Sequence, residues 1–130
     1  MNSKYEINTK ENREFLKASC EELLNFGHRF PSPNGGSYYL GDDGTPWKDR
    51  NRETWITCRM AHVYSLGLML GHEGSGELAD AALKGLKGEL HDEKNGGWYA
   101  GVTPEGGIVP NKQCYAHAFV ILAASSALTA

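Results

Sequence analysis

The chain has 130 residues, which fits one domain or part of a larger one, and a formal net charge of −3 at pH 7. Its 13 Lys and Arg residues are scattered, so we expect neither a nucleic-acid partner nor an anionic membrane surface. The first residues are polar and lack the pattern of a secretory signal. Three widely spaced cysteines, Cys20, Cys58 and Cys114, favour reduced core thiols over disulfides, and a cytoplasmic location is expected.

A first helix is predicted over Glu11–Phe26, because Leu16, Leu23 and Leu24 recur at helical spacing there. Thr9 precedes it as a candidate N-cap. The following residues, 28–49, are rich in Gly and Pro. Within them "GSYYLG" and the next "DDG" predict a short strand and a turn.

A second helix is predicted over Asn51–Leu70, ended by a glycine, and a third over Glu77–Leu90. Gly85 and Gly88 weaken the third helix, because glycine in a helix interior costs about 1 kcal/mol relative to alanine. After it, "NGGWYAGVTPEGGIVP" predicts two short strands around a "PEGG" turn.

A fourth helix is predicted over Asn111–Ala127, and from Tyr115 to Ala130 the chain has no charged side chain. The run is shorter than the roughly 20 apolar residues that a bilayer requires. We therefore expect no membrane span but a helix buried by protein, with neighbours on several sides.

The two halves of the chain repeat one unit. The sequence "NGG" occurs at Asn34 and at Asn95, each time after a helix and before a Gly-rich hairpin and an apolar helix. This predicts an all-α fold of helical hairpin repeats with short β-hairpin loops, in units of about 11–70 and 77–127. Such repeats normally need at least about three units, so residues 1–130 are expected to form a single partial domain that self-associates through exposed apolar edges.

The stretch "ETWITCRMAHVYSL" places Arg59 in the middle of a predicted buried helix, one turn after Trp55. A guanidinium carries five donors in a planar fork and stacks on aromatic rings. Arg59 and Trp55 could therefore hold a carboxylate, a sulfonate or sugar hydroxyls. The alternative is a structural ion pair between Arg59 and an acid elsewhere in the fold.

Motifs for other ligands do not fit. "GHEGSGE" lacks the order of a phosphate-binding loop, no G-x-G-x-x-G follows a strand, and "GDDGTPWKDRNRE" has the wrong spacing of acids for a calcium loop. The five histidines form no zinc-binding pair, so no metal is expected.

Three ordered motifs identify a family resemblance: "WITCRMAHVYSLGLMLG" at residues 55–71, "GGWYAGV" at 96–102 and "KQCYAHAFVILAASSA" at 112–127. In this order and spacing they resemble the N-terminal third of the N-acylglucosamine 2-epimerase family. Within it they are most similar to the aldose–ketose isomerase branch that interconverts mannose or sulfoquinovose with the ketose.

The resemblance implies that the chain is the N-terminal four-helix segment of an (α/α)6 toroid with a sugar pocket inside. It implies a substrate-binding role for Trp55, Arg59 and Tyr115, with a small-molecule sugar as partner and no cofactor. Catalysis in the family proceeds by proton abstraction and an enediolate, through histidines that lie beyond residue 130. No catalytic residue is therefore assigned here, and we expect packing roles for His62 and His117.

Other functions remain open. The chain could belong to an N-acylglucosamine or cellobiose 2-epimerase, which returns the proton to the opposite face of the same carbon. An (α/α)6 glycoside hydrolase requires two carboxylates flanking the scissile bond, and Glu53 is the only acid near Arg59. A non-catalytic helical-repeat module is the third alternative; it predicts that Arg59 is tied up in an internal ion pair.

Overall fold

The computed structural model describes residues 2–130 and consists of four helices and five two-residue strands after a short 3-10 turn. The helices are α1 (Lys10–Gly27), α2 (Thr54–Met69), α3 (Ser75–Lys87) and α4 (Cys114–Thr129). The strands are β1 (Tyr39–Leu40), β2 (Pro46–Trp47), β3 (Arg52–Glu53), β4 (Gly101–Val102) and β5 (Ile108–Val109). Four helices and both short hairpins therefore occur in the predicted order.

Helix α1 begins as the sequence predicts. Thr9 is its N-cap, and the Thr9 hydroxyl accepts a hydrogen bond of 3.1 Å from the backbone N–H of Asn12. The first half of the helix contacts the N-terminal turn, where the Tyr5 and Phe15 rings meet at 5.7 Å. Near its end Leu24 is buried, and the Leu24 carbonyl accepts from the Tyr64 hydroxyl of α2 at 2.7 Å. Leu16 and Leu23 are exposed, so much of the apolar side of α1 is uncovered in this chain.

Helix α2 is the centre of the fold, because it packs along both α3 and α4. The contact surfaces include small residues, which let helix backbones approach closely. Fully buried alanines occur on all three helices, at Ala61, Ala82, Ala116 and Ala123. The rings of Phe30 and Tyr64 stack at 5.3 Å between centroids and close the core near α1.

Gly85 is required by the packing of α3, although glycine lowers the helix propensity of this segment. The loop at Gly35 and Gly36 crosses α3 at this residue, and the Gly36 N–H donates to the Ala81 carbonyl at 3.1 Å. A Cβ on Gly85 would lie 2.3 Å from the Gly36 nitrogen. The glycine is needed because two backbones touch here.

The strands form a β1–β2 hairpin and a separate antiparallel sheet in the order β3-β4-β5. The expectation that the second helix starts at Asn51 is wrong, because Arg52 and Glu53 pair with Val102 and Gly101 as a strand. Helix α2 starts at Thr54, directly after this strand. The backbone N–H of Thr54 then donates to the Ala100 carbonyl at 3.0 Å, which ties the two loop regions together.

Helix α4 departs from the expectation of neighbours on several sides. Ala116, Val120 and Ala123 are buried, but Ile121 is 73% exposed and Leu128 is 91% exposed. An apolar sequence indicates that a helix will be covered without showing which segment covers it, and within residues 2–130 α2 is the helix that packs extensively on α4.

All three cysteines are free thiols. Burial was expected for each, but only Cys58 is buried, whereas Cys20 and Cys114 lie on exposed helix faces. Burial raises the pKa of the Cys58 thiol to about 12, so this thiol stays protonated and unreactive. Among residues 2–130, no helix combines the length and the apolar character needed to cross a membrane.

Candidate functional site

The N-terminal ends of α2 and α4 bring three of the predicted site residues together. The rings of Trp55 and Tyr115 meet edge to face with 5.9 Å between centroids, and Tyr115 meets Phe119 in the same way at 4.9 Å. Tyr39, from the β1–β2 hairpin, also meets Trp55 edge to face, with 6.4 Å between ring centroids. We call these four side chains, Tyr39, Trp55, Tyr115 and Phe119, the aromatic row.

Arg59 lies against the aromatic row. Its guanidinium carbon is 5.7 Å from the Trp55 ring centroid and 5.8 Å from that of Phe119, within the range of a cation–π contact. The expectation that Arg59 would be partly buried is wrong for this chain, because the residue is exposed. Stacking on two rings nevertheless restrains its direction.

No carboxylate within residues 2–130 forms an ion pair with Arg59. The structural ion pair belongs to Arg52 instead, which is buried and donates to Glu89 at 2.6 Å and to the Gly35 carbonyl at 2.9 Å. Among residues 2–130 nothing therefore supports the ion-pair alternative for Arg59.

Glu53 and Tyr39 are members of the site that the sequence reasoning did not assign. Glu53 Oε2 accepts a hydrogen bond of 2.7 Å from the Trp55 indole N–H and another from the Tyr39 hydroxyl. Burial, followed by the bond to Glu53, raises the pKa of Tyr39, so its hydroxyl stays a donor at neutral pH. Proximity in sequence marked Glu53 as an acid near Arg59, but nothing local connects Tyr39 to it.

The "GGWYA" hairpin serves mainly as an anchor. The Trp98 indole N–H donates to the Leu86 carbonyl at 2.8 Å, and the Trp98 backbone N–H donates to His117 Nε2 at 3.2 Å. His62 lies 2.6 Å from the Ser126 hydroxyl through Nδ1. These contacts support the packing roles expected of both histidines.

A cleft of about 610 Å³ lies away from the aromatic row, between α1 and the C-terminal end of α2. Its lining includes Lys17, Cys20, Glu21 and His72, but none of the predicted site residues. Among residues 2–130, no group of three or more His, Cys, Asp or Glu side chains is placed to hold a metal ion.

The arrangement suits a polyhydroxylated ligand. Aromatic faces pack against the apolar C–H face of a sugar ring, while a guanidinium offers several N–H donors to its oxygens. Because no acid among residues 2–130 pairs with this cation, it can also interact with negative charge that develops on a ligand oxygen.

Two known sugar isomerases are similar to this chain in sequence. The chain is 37% identical over 119 residues to a D-mannose isomerase of Thermobifida fusca, covering 91% of this chain and 29% of that protein. It is 33% identical over 124 residues to a D-mannose isomerase of Pseudomonas cannabina pv. alisalensis, covering 95% and 30%. The chain thus spans less than a third of the length of these relatives.

Solved structures confirm the predicted fold class. The chain superimposes on cellobiose 2-epimerase from Bacillus thermoamylovorans B4167 with a TM-score of 0.75 at 27% identity, over 91% of this chain and 32% of that one. It superimposes on a D-mannose isomerase with a TM-score of 0.79 at 24% identity, over 95% and 31%, which supports the fold. The four helices are a segment of the (α/α)6 toroid. Residues 35–130 match the model of N-acylglucosamine 2-epimerase (GlcNAc 2-epimerase), so the chain belongs to the N-acylglucosamine 2-epimerase family.

Proposed function

We propose that this chain supplies sugar-binding groups to an aldose–ketose isomerase of the mannose or sulfoquinovose type. The observation that carries the proposal is the Arg59 guanidinium, which lies over two rings of the aromatic row and has no carboxylate partner within residues 2–130. The identity to D-mannose isomerases supports the same substrate class.

In the proposed reaction a base removes the proton from carbon 2 of the open-chain aldose, and an enediolate forms. The proton returns to carbon 1 while the hydroxyl proton moves from O2 to O1, which gives the ketose. Negative charge grows on the carbonyl oxygen during the first step, and Arg59 is suited to stabilise it because its donors are already in place. The base is assigned to histidines of the family that lie beyond residue 130.

Trp55 and Tyr115 complete the proposed binding surface. Trp55 is half-buried and Tyr115 is 57% exposed, so both rings present area to a ligand. Stacking of a sugar on these rings orients it with its oxygens toward Arg59. Positioning of this kind contributes to catalysis because it places the reacting carbon relative to the base.

A 2-epimerase is the second candidate, and the structural similarity to a cellobiose 2-epimerase favours it. The same enediolate would be reprotonated on the opposite face of carbon 2. The product distinguishes the two reactions, since mannose yields fructose with an isomerase and glucose with an epimerase.

The remaining parts of the proposal concern assembly and location. We propose that residues 1–130 form one partial domain with repeat units of about 11–70 and 77–127, and that its exposed apolar side chains, such as Leu23, Ile121 and Leu128, drive self-association when nothing covers them. Three free thiols support a reducing compartment such as the cytosol.

The test is a chimera in which these 130 residues replace the matching segment of the Thermobifida fusca D-mannose isomerase. Arg59→Met should lower kcat/KM for mannose about 100- to 1000-fold without loss of folding. Arg50→Met is the matched control, because Arg50 also stacks on a tryptophan, Trp47, at 4.3 Å. A folded but inactive parent chimera, or equal activity of the two variants, contradicts the proposal.

A further inference from the structure

Glu53 holds Trp55 through a side-chain hydrogen bond between residues that are two positions apart in the chain. Its carboxylate Oε2 accepts from the indole N–H only two residues later in the chain, at 2.7 Å, and also from the Tyr39 hydroxyl on the β1–β2 hairpin. A hydrogen bond to a charged acceptor is roughly twice as strong as one between neutral groups. One carboxylate oxygen therefore fixes two members of the aromatic row.

The backbone places Glu53 at the junction between β3 and α2. Glu53 ends β3, opposite Gly101 of β4, and is the N-cap residue of α2 with extended φ and ψ of −94° and 144°. Its side chain makes no capping bond to the helix. A side chain on Gly101 would place a Cβ 2.8 Å from the Arg52 carbonyl oxygen, so this glycine lets the strands approach and keeps Glu53 in place.

The bond to Glu53 restricts which parts of the Trp55 side chain a ligand can contact. Its only polar hydrogen is committed to Glu53, so the ring faces and edges are what remain for other groups. Those surfaces already meet Tyr115 at 5.9 Å and the Arg59 guanidinium at 5.7 Å. Rotation of the indole would break the bond to Glu53 and both of these contacts together.

We propose that Glu53 is a positioning residue, which locks the Trp55 indole so that a ligand meets the ring face and not the N–H. The same carboxylate fastens the β1–β2 hairpin to the start of α2 through Tyr39. Glu53 Oε1 accepts no hydrogen bond from residues 2–130, so it remains open to a ligand hydroxyl. Only the identity of the ligand as a sugar rests on the proposed function.

The test is solvent exchange of the indole protons in the ¹⁵N-labelled 130-residue chain, which has three tryptophans. Trp98 is the internal reference, because its N–H donates to the Leu86 carbonyl and not to Glu53. In Glu53→Ala, the exchange rate of the Trp55 indole proton should rise at least about tenfold, while that of Trp98 should stay unchanged.

Glu53→Gln is the conservative variant and guards against a folding defect in the alanine variant. It keeps the shape and one acceptor oxygen, so it should restore part of the protection and leave exchange raised roughly fivefold by the lost charge. Unchanged Trp55 exchange in both variants overturns the inference. If Glu53→Ala does not fold, the Glu53→Gln comparison with the parent chain decides alone.

Mannose is then added to the parent chain to separate this inference from the proposed function. Shifts in the Trp55 ring protons with an unmoved indole N–H signal support the presentation of the ring face. A loss of the N–H signal's protection on binding overturns it. If mannose shifts no Trp55 signal, the sugar assignment fails, while the exchange result still decides the role of Glu53.

Discussion

Replacing Gly85 with alanine should lower the free energy of unfolding, although helix propensity alone predicts that it rises. In an unobstructed helix interior the change stabilises by about 1 kcal/mol. Here the new Cβ would lie 2.3 Å from the nitrogen and 2.5 Å from the Cα of Gly36, where ordinary contacts begin at 3.4 Å. The obstructing atoms are backbone, so loop and helix must separate by about 1 Å in a close-packed interior.

The strain of overpacking destabilises the folded state by about 1–3 kcal/mol. Separating loop and helix also weakens the hydrogen bond from the Gly36 N–H to the Ala81 carbonyl, which contributes about 1 kcal/mol. Subtracting the gain in propensity leaves a net loss of about 1–3 kcal/mol for Gly85→Ala. Urea unfolding followed by circular dichroism at 222 nm measures it.

Gly76→Ala is the matched control in the same helix. Its Cβ would lie 3.7 Å from the Leu68 side chain, an ordinary contact, so this variant should gain up to about 1 kcal/mol. Stabilisation of similar size in both variants would refute the close backbone contact.

Two further predictions concern buried polar groups. The ion pair with Lys112 at 2.7 Å, together with the Asn95 backbone N–H, holds the pKa of Asp92 well below its usual range. The ionised Asp92 carboxylate therefore stabilises the folded state at pH values above its unfolded pKa of about 4, and this stabilisation is lost as pH falls toward the pKa in the folded state. Asp92→Asn should lower the urea midpoint of unfolding at pH 7, and the difference in midpoint between the variant and the parent chain should become smaller at pH 3. A difference that is the same at both pH values contradicts the ion pair. Thr57→Val should cost about 1–3 kcal/mol in urea unfolding, because the buried Ser37 N–H donates to the Thr57 hydroxyl at 3.0 Å, whereas Thr57→Ser should retain that bond. Equal losses in the two Thr57 variants would contradict it.

Local signals predicted the helices well. The Thr9 cap and the apolar spacing after it fix the start of α1, because both act within one helical turn. The start of α2 was placed too early because Arg52 and Glu53 belong to a strand whose partner, Gly101–Val102, is distant in sequence. Non-local pairing of this kind leaves no periodic signal in two residues.

Gly85 illustrates the second limit of local reasoning. Intrinsic propensity marks glycine as a weakness in a helix, and this is correct for an isolated helix. The structure shows that the missing side chain makes room for a loop from the preceding unit, at Gly35 and Gly36. Such a requirement depends on a tertiary contact, which the sequence of α3 alone does not contain.

Only some residues of the candidate site were predicted, because the others reach it through tertiary contacts. The family motifs place Trp55, Arg59 and Tyr115, and the structure brings these three residues together. The place of Tyr39 in the site could not be predicted, because it lies on the β1–β2 hairpin and the tertiary packing of this hairpin against α2 leaves no local signal in the sequence. Glu53 was noticed only as the acid nearest to Arg59 in sequence, and its actual partners are Tyr39 and Trp55.

The two arginines near the start of α2 show why burial alone does not identify a binding residue. Arg52 is buried and satisfied, with Glu89 as its counter-ion, so replacing it disturbs the fold. Arg59 is exposed, stacks on Trp55 and Phe119, and has no acid partner within residues 2–130. Glu53, the acid nearest to Arg59 in sequence, accepts from the Trp55 indole N–H and the Tyr39 hydroxyl and forms no ion pair with Arg59. A cation that is held in direction by rings but lacks a counter-ion gains most from a ligand whose own charge becomes negative, as an enediolate does.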